Sequence, residues 1–549
     1  MNAATVLIHC LEQEGVRYIF GVPGEETLDI MEALSQSQHI TFIPTRHEQG
    51  AAFMADVWGR LTGTPGVCLG TLGPGATNLL TGVADAFLDH APLVAITGQA
   101  GLERVFKESH QSIDIVAMFA PVTKWNTRVE RGAAMPEVVA KAFRTARLEK
   151  QGPTHLEVPE DVAGERVAAH HATPLRRTAM PFFIPNVAAL EDELDLVMKL
   201  MRQAQRPVIL VGNGAIRAHA AAEVAAFARH LQIPVVHTFM GKGIVRDDDA
   251  LSWGTLGLQR SDPVMVGLDD ADLLLAVGYD LVEHAPHSWN HHLQRPIIHI
   301  DTLPAEIDAA YLPEVELVGP IGPILTVLRE RWQGPIFAPP RAVRTQIEAE
   351  WAEGSQDAAF PLKPQRILAD LRTALAAHDI IISDVGAHKQ WVARRFPTYW
   401  ANTVIMSNGL ATMGIALPGA VAAKLAYPER HVVVVTGDGG FLMNVQELET
   451  AARLHLPMVI LVWADQRYGV IEWKQQQRFG HSFGTEFTNP DFLQLAAAFG
   501  IAGFRIESAE ALLPTLAQAL SLPTPVIIEV PVDYRENVRL FPSTQASSI

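Results

Sequence analysis

The chain has 549 residues, 48% hydrophobic and 19% charged, a balance that implies roughly three folded domains and excludes a disordered protein. Its net charge is −17, from 43 Lys+Arg and 60 Asp+Glu, and no Lys/Arg cluster forms a stripe or tail, so no nucleic acid is expected as a partner. No apolar run approaches the ~18 residues that span a membrane, and residues 1–10 lack the basic start and apolar core of a signal peptide.

The two cysteines, Cys10 and Cys68, lie in apolar surroundings and read as buried thiols of a reducing compartment, which points to a cytoplasmic protein without a membrane partner.

In chain order, residues 1–165 alternate the strand-like runs RYIF, TFIPT, GVCLG, PLVAITG and HLEVP with helical spacing at 48–60 and 76–88. The stretch from Gly164 to Pro185 reads as a linker. Residues 188–335 carry PVILVG, PVVHT, LLLAVG and PIIHID, followed by the Pro-containing connector GPIFAPPRAVR. Residues 362–535 carry DIIISD, HVVVVTG, MVILVW and PVIIEVP, and the last nine residues read as a loose tail.

Short apolar strands separated by helices predict an α/β fold of three open parallel-sheet domains in series, at 1–165, 188–335 and 362–535. Ligands of such sheets bind beyond the carboxyl ends of the strands.

The strongest local signal is at 431–469. A β-branched strand at 432–436 runs into Gly437-Asp438-Gly439-Gly440, with a helix expected from near Phe441. Glycines let the backbone approach a phosphate, and a helix N-terminus offers free N–H groups. A carboxylate beside a phosphate needs a cation between them, most naturally Mg²⁺. The next strand, 458–463, leads to Asp465. If the two strands are neighbours, Asp438 and Asp465 emerge at one edge as two oxygen ligands. By itself, GDGG reads equally well as a glycine turn with a solvated Asp.

Upstream, Glu48 opens the Ala-rich run EQGAAFMADVWGR. On its residues alone it reads as a surface partner of a helix dipole.

Together these motifs resemble the thiamine-diphosphate-dependent enzymes over essentially the whole chain. The family's Gly-Asp-Gly motif matches Gly437-Asp438-Gly439, and its Asn-Asn is Ala464-Asp465 here. The resemblance implies that Asp438, Asp465 and the carbonyl of Arg467 hold Mg²⁺. It implies that Glu48 bonds the cofactor's aminopyrimidine ring and so activates the thiazolium. Gly73-Pro74-Gly75 and Asn78 resemble the family's turn into a helix.

In the segment Asn408–Gly414, Met413 would be the wedge that bends the cofactor, and the Ala411 carbonyl would accept from its amino group. Gly386, Ala387, His388 and Gly440 would lie near the diphosphate. Pro23, Thr71, Tyr468, Gly469 and Val470 complete the implied cofactor contacts.

Within the family the likeness is closest to the acetolactate synthases of the catabolic, FAD-free type. The run SHQSIDIVAMFAPVTKW makes Gln111 a catalytic candidate that orients the second ketoacid. The Arg-Phe-Asp-Asp-Arg run of the biosynthetic type is missing, and Gly212-Asn213-Gly214 lacks the third Gly of a dinucleotide fingerprint. No FAD is expected.

The resemblance implies that pyruvate is decarboxylated and that the hydroxyethyl enamine condenses with a second 2-ketoacid to give 2-acetolactate. It also implies a homodimer or homotetramer with active sites between subunits. A decarboxylase, another carboligase or a diketone C–C hydrolase is the alternative.

One departure stands out. Glu26 replaces a Lys of the catabolic enzymes, and Lys474 replaces a Gln, so Lys474 is expected to hold the substrate carboxylate or to pair with Glu26.

Overall fold

A computed structural model describes residues 1–175, 190–259 and 261–540. The end of the expected linker and the expected tail lie outside the described residues.

Three six-stranded, all-parallel sheets follow one another. The first holds β1 (Tyr18–Gly21), β2 (Thr41–Pro44), β3 (Gly66–Gly70), β4 (Leu93–Gln99), β5 (Trp125–Arg128) and β6 (Pro153–Pro159), in the order β2-β1-β3-β4-β6-β5. The second holds β7 (Pro207–Val211), β8 (Val235–His237), β9 (Ser252–Thr255), β10 (Leu273–Val277), β11 (Ile297–Asp301) and β12 (Val315–Val318), in the order β12-β11-β10-β7-β8-β9. The third holds β13 (Ile380–Ser383), β14 (Val404–Met406), β15 (Val432–Gly437), β16 (Val459–Ala464), β17 (Ala502–Arg505) and β18 (Val526–Pro531), in the order β14-β13-β15-β16-β18-β17.

The first and third sheets therefore share one winding. The second has a different one, the order 3-2-1-4-5-6 when its strands are counted from β7. The central strands are apolar throughout because helices cover both sheet faces, as Val432–Val435 and Val459–Trp463 show by their burial.

By packing, the described chain forms two compact units. One comprises 1–175 with 409–429 and 442–456, and the other comprises 190–408, 430–441 and 457–540. The first unit thus takes two helices from the third segment, Ala416–Ala426 and Glu447–Arg453. Helix Ala416–Ala426 packs on helix Glu48–Thr62. Both present small buried residues, among them Gly50, Ala51, Ala52 and Ala55 on one and Gly419, Ala420, Ala422 and Ala423 on the other, which lets their axes approach closely. Tyr427 locks the end of this pair by donating to the Leu61 carbonyl at 2.9 Å.

The expected connector at 334–344 is only partly irregular. Its end already belongs to the helix Arg341–Ala352, whose Val343 and Ile347 are buried in the core on one side of the second sheet. Cys10 and Cys68 are free, buried thiols.

Candidate cofactor site

The third sheet reverses its winding between β13 and β15, and ligands of open α/β sheets bind where winding reverses. Beyond the ends of these two strands lie Asp384-Val385-Gly386 and Asp438-Gly439-Gly440. Strands β15 and β16 are parallel neighbours, with Gly437 opposite Trp463, so Asp438 and Asp465 leave the sheet at the same edge. The helix begins at Asp438 rather than near Phe441, which buries Asp438 at its first turn.

Asp438 ties this edge together. Its Oδ2 accepts from the backbone N–H of Asp465 (3.0 Å) and Gln466 (2.7 Å) and from Asn489 Nδ2 (2.8 Å), while Oδ1 accepts from Gly439 N–H at 2.9 Å. Burial, followed by the like charge of Asp438, pushes the Asp465 carboxyl up to about 7. A buried and a half-buried carboxylate in this relation are held ionised together by a cation between them, so the donor set fits a hard divalent metal. Among the described residues no group of three or more His, Cys, Asp or Glu side chains could hold a metal, so a metal here would draw its other ligands from carbonyls and a bound ligand.

The diphosphate candidates lie around the same edge. Helix Ala387–Arg395 starts after Gly386 without a side-chain cap, leaving its first N–H groups for an acceptor. His388 is buried and pushed down to about 3 by that burial, so its ring is neutral. Its Nε2 has no partner among the described residues, and its ring lies 3.3 Å from where a Cβ at Gly437 would stand. At Gly440 a Cβ would meet Asp384 Oδ1 at 2.8 Å, and at Gly439 it would meet the Tyr468 ring at 2.9 Å, so both positions need glycine.

Gly469 abuts Asp465, and both line a cavity of about 700 Å³ with Arg467, Glu472 and Trp473. The Arg467 guanidinium pairs with Glu472 at 2.6 Å. Val470 packs at the border of the third-sheet core.

In the first unit, Glu48 opens helix Glu48–Thr62 and is only 8% exposed, unlike a surface dipole partner. Its Oε2 accepts from Asn78 Nδ2 at 2.9 Å, and its Oε1 lies 3.3 Å from where a Cβ at Gly75 would be. The Gly73-Pro74-Gly75 turn therefore presses backbone against the Glu48 carboxylate. Glu447 fixes the approach to this helix: its Oε1 accepts the N–H groups of Arg46 and His47 at 3.1 Å each.

The loop of Gln111 reaches the same turn. Gly73 has φ 52° and Gln111 φ 56°, and a Cβ at Gly73 would stand 2.7 Å from the Gln111 carbonyl. The Gln111 side chain is exposed. Glu26 accepts from Thr71 Oγ1 at 2.7 Å, and Pro23 lies exposed just before it. Ala411 is exposed with φ 56°, and Met413 is half-buried. Lys474 is exposed on helix Gly469–Phe479.

The structure adds Asn489 and Glu447 to the residues read from sequence. Neither carries a local motif, because each acts on a group far away in the chain, Asn489 on the Asp438 carboxylate and Glu447 on the backbone of Arg46 and His47.

Comparison with known proteins explains this arrangement. Residues 1–118, 194–328 and 384–530 match the N-terminal thiamine pyrophosphate (TPP) binding domain, the central domain and the C-terminal TPP binding domain of thiamine pyrophosphate enzymes. The chain belongs to the thiamine pyrophosphate enzyme family, and thiamine diphosphate is its cofactor.

Its relatives narrow the type. It is 37% identical to the acetolactate synthase of Bacillus subtilis (strain 168), over 98% of this chain and 94% of that protein. It is 36% identical to the catabolic acetolactate synthase of Raoultella terrigena, over 100% and 98%. It is 33% identical to the large subunit of acetolactate synthase isozyme 2 of Escherichia coli (strain K12), over 98% and 97%. The chain is thus a carboligase-type enzyme resembling the acetolactate synthases.

Proposed function

We propose that this chain decarboxylates pyruvate and joins the remaining two-carbon unit to a second 2-ketoacid, giving 2-acetolactate. The observation that carries the reading is the Asp438/Asp465 pair at the winding reversal of the third sheet, which fits a Mg²⁺ ion that would hold the diphosphate. The relatives' names supply the substrate class.

When bound, thiamine diphosphate supplies the electron sink for decarboxylation. The chain's own part is positional. Asp438, Asp465 and the Arg467 carbonyl would hold the metal. His388 Nε2, Gly386, Ala387 and the Gly437–Gly440 turn would receive the diphosphate, with Tyr468, Gly469 and Val470 behind it. Glu48, fixed by Asn78, would hold the aminopyrimidine, with Pro23, Thr71 and Gly73 around it. Ala411 and Met413 would support the ring, and Gln111 would orient the acceptor ketoacid. Lys474 would draw the substrate carboxylate.

The sheets suggest domains at 1–165, 188–335 and 362–535. In the first unit Leu410 and Met443 are exposed, and in the second Ile471 and Phe483 are, apolar surface that supports a homodimer or homotetramer whose sites a second subunit completes. No helix among the described residues is long and apolar enough to cross a membrane. We place the enzyme in the cytoplasm because both thiols are reduced. We also propose that it works without FAD, because the backbone N–H of Asn213 on the second sheet is taken by the chain's own Glu283 at 2.8 Å.

The test is product analysis with pyruvate alone in the presence of thiamine diphosphate and Mg²⁺. CO₂ and 2-acetolactate are expected. Acetaldehyde as the product would make the enzyme a simple decarboxylase, and no turnover of pyruvate would reject the substrate.

A further inference from the structure

Ala411 combines a left-handed backbone, φ 56°, with a side chain that ordinarily avoids it. Such a conformation is strained and persists only where its surroundings hold it. The surroundings are specific here. On one side of Ala411, the N–H of Gly409 donates to Asp89 Oδ1 at 2.6 Å. On the other, the Thr412 hydroxyl donates to Asp85 Oδ1 at 2.7 Å. Further along, Asn444 Nδ2 donates to the Gly414 carbonyl at 2.9 Å.

Asp85 lies in the last turn of helix Pro74–Leu88 and Asp89 caps it, and both are buried. Asp89 is neutralised by Arg60 at 3.2 Å. Asp85 also lies beside Asp56, a fully buried carboxyl on helix Glu48–Thr62 whose oxygens have no donor among the described residues. Two facing carboxyls can share a hydrogen bond only if one keeps its proton. Burial, followed by the charge of Asp85, raises Asp56 well above the usual carboxylate range, so Asp56 is the protonated member.

We propose that Asp85 and Asp89, with Asp56 behind them, are positioning residues that hold segment 409–412 and aim the strained Ala411 carbonyl at the cofactor ring. The proposal rests on the reading of Ala411 as a cofactor contact.

The experiment compares the wild type with Thr412→Val and Thr412→Ser, with Glu48→Gln as a control. Amide hydrogen exchange of 408–414 is measured without cofactor. Thiamine diphosphate affinity is measured by tryptophan fluorescence with Mg²⁺ present. Thr412→Val is expected to speed exchange of the segment and weaken cofactor affinity about tenfold, the size of one hydrogen bond to a carboxylate. Its melting temperature should stay near wild type, and Thr412→Ser should restore both readings. If Thr412→Val does not fold, Asp89→Asn, which keeps an acceptor of lower charge, should give the same pattern more weakly.

Unchanged cofactor affinity in Thr412→Val or in its substitute, whatever the exchange rate, overturns the proposal. Loss of turnover in Glu48→Gln alongside that result would confine the failure to the clamp. Full turnover in Glu48→Gln would instead reject the cofactor reading on which the clamp depends.

Discussion

The second and third sheets both reverse their winding, yet their strand ends are finished in opposite ways. At the third, between β13 and β15, helix Ala387–Arg395 is uncapped, His388 Nε2 has no partner among the described residues, and Asp438 and Asp465 leave neighbouring strands at one edge. At the second, between β7 and β10, every N–H of the 212–214 turn is consumed by the chain. Gly212 donates to the Val277 carbonyl at 3.0 Å, Gly214 to the Gly278 carbonyl at 2.8 Å, and Asn213 to Glu283 Oε1 at 2.8 Å. Thr238 closes the other Glu283 oxygen at 2.5 Å. A fold that binds dinucleotides elsewhere is sealed here by a glutamate carboxyl in the seat an anion would take. An open α/β sheet therefore offers a site only where its strand ends leave polar groups unspent.

The largest effect expected from this contrast is at the open end. Asp438→Ala removes a proposed metal ligand and orphans the N–H groups of Asp465 and Gln466. Thiamine diphosphate affinity with Mg²⁺ should fall by roughly a hundredfold or more, with turnover lost. Equilibrium dialysis of the cofactor with and without Mg²⁺ checks this, and wild-type affinity in the variant would remove Asp438 from the site.

At the sealed end the expected effect is on stability and not on catalysis. Glu283→Ala removes the acceptor of the Asn213 N–H and of the Thr238 hydroxyl from a buried position, at a cost of ~3 kcal/mol. The melting temperature should drop by roughly 5–10 °C while kcat stays at the wild-type value. Burial pushes Glu283 up to about 8, far above an unfolded glutamate. The folded state therefore holds a proton that the unfolded state gives up. This contribution is fully present below the unfolded value and is lost as pH rises through about 8. Glu283→Gln cannot titrate, so melting curves from pH 5 to 8 should fall less steeply in it than in the wild type. Parallel curves would show that Glu283 does not carry the slope.

The two ends were unequally legible in the sequence. Asp438 and Asp465 could be read because both follow β-branched strands and neighbouring parallel strands bring their ends together. Glu283 could not, since nothing near it signals that its oxygens return to Asn213 and Thr238, 70 and 45 residues away. Asn489 and Glu447 were hidden for the same reason. Among the strands, the central ones were plain as apolar runs buried on two faces. Those that escaped, such as Trp125–Arg128, Ser252–Thr255 and Ala502–Arg505, lie at sheet edges. An edge strand pairs on one side only and tolerates the polar or half-exposed residues of WNTR, SWGT and AGFR, so no alternation or apolar run marks it.

The smallest expected effect concerns what approaches the open end. Lys474 is exposed on helix Gly469–Phe479, while the nearby Arg467 is already paired with Glu472. Lys474 therefore keeps a charge that can draw a ketoacid carboxylate, but water screens it. An exposed pair of this kind contributes about 0.2–1 kcal/mol, so Lys474→Gln should raise the pyruvate KM roughly two- to fivefold and leave kcat unchanged. Because salt weakens exposed charges first, the gap between variant and wild type should close as ionic strength rises toward 1 M, where screening acts within ~3 Å. A KM difference that persists at high salt would mean that Lys474 contacts the carboxylate in a desolvated pocket, and an unchanged KM at low salt would leave it no part in binding.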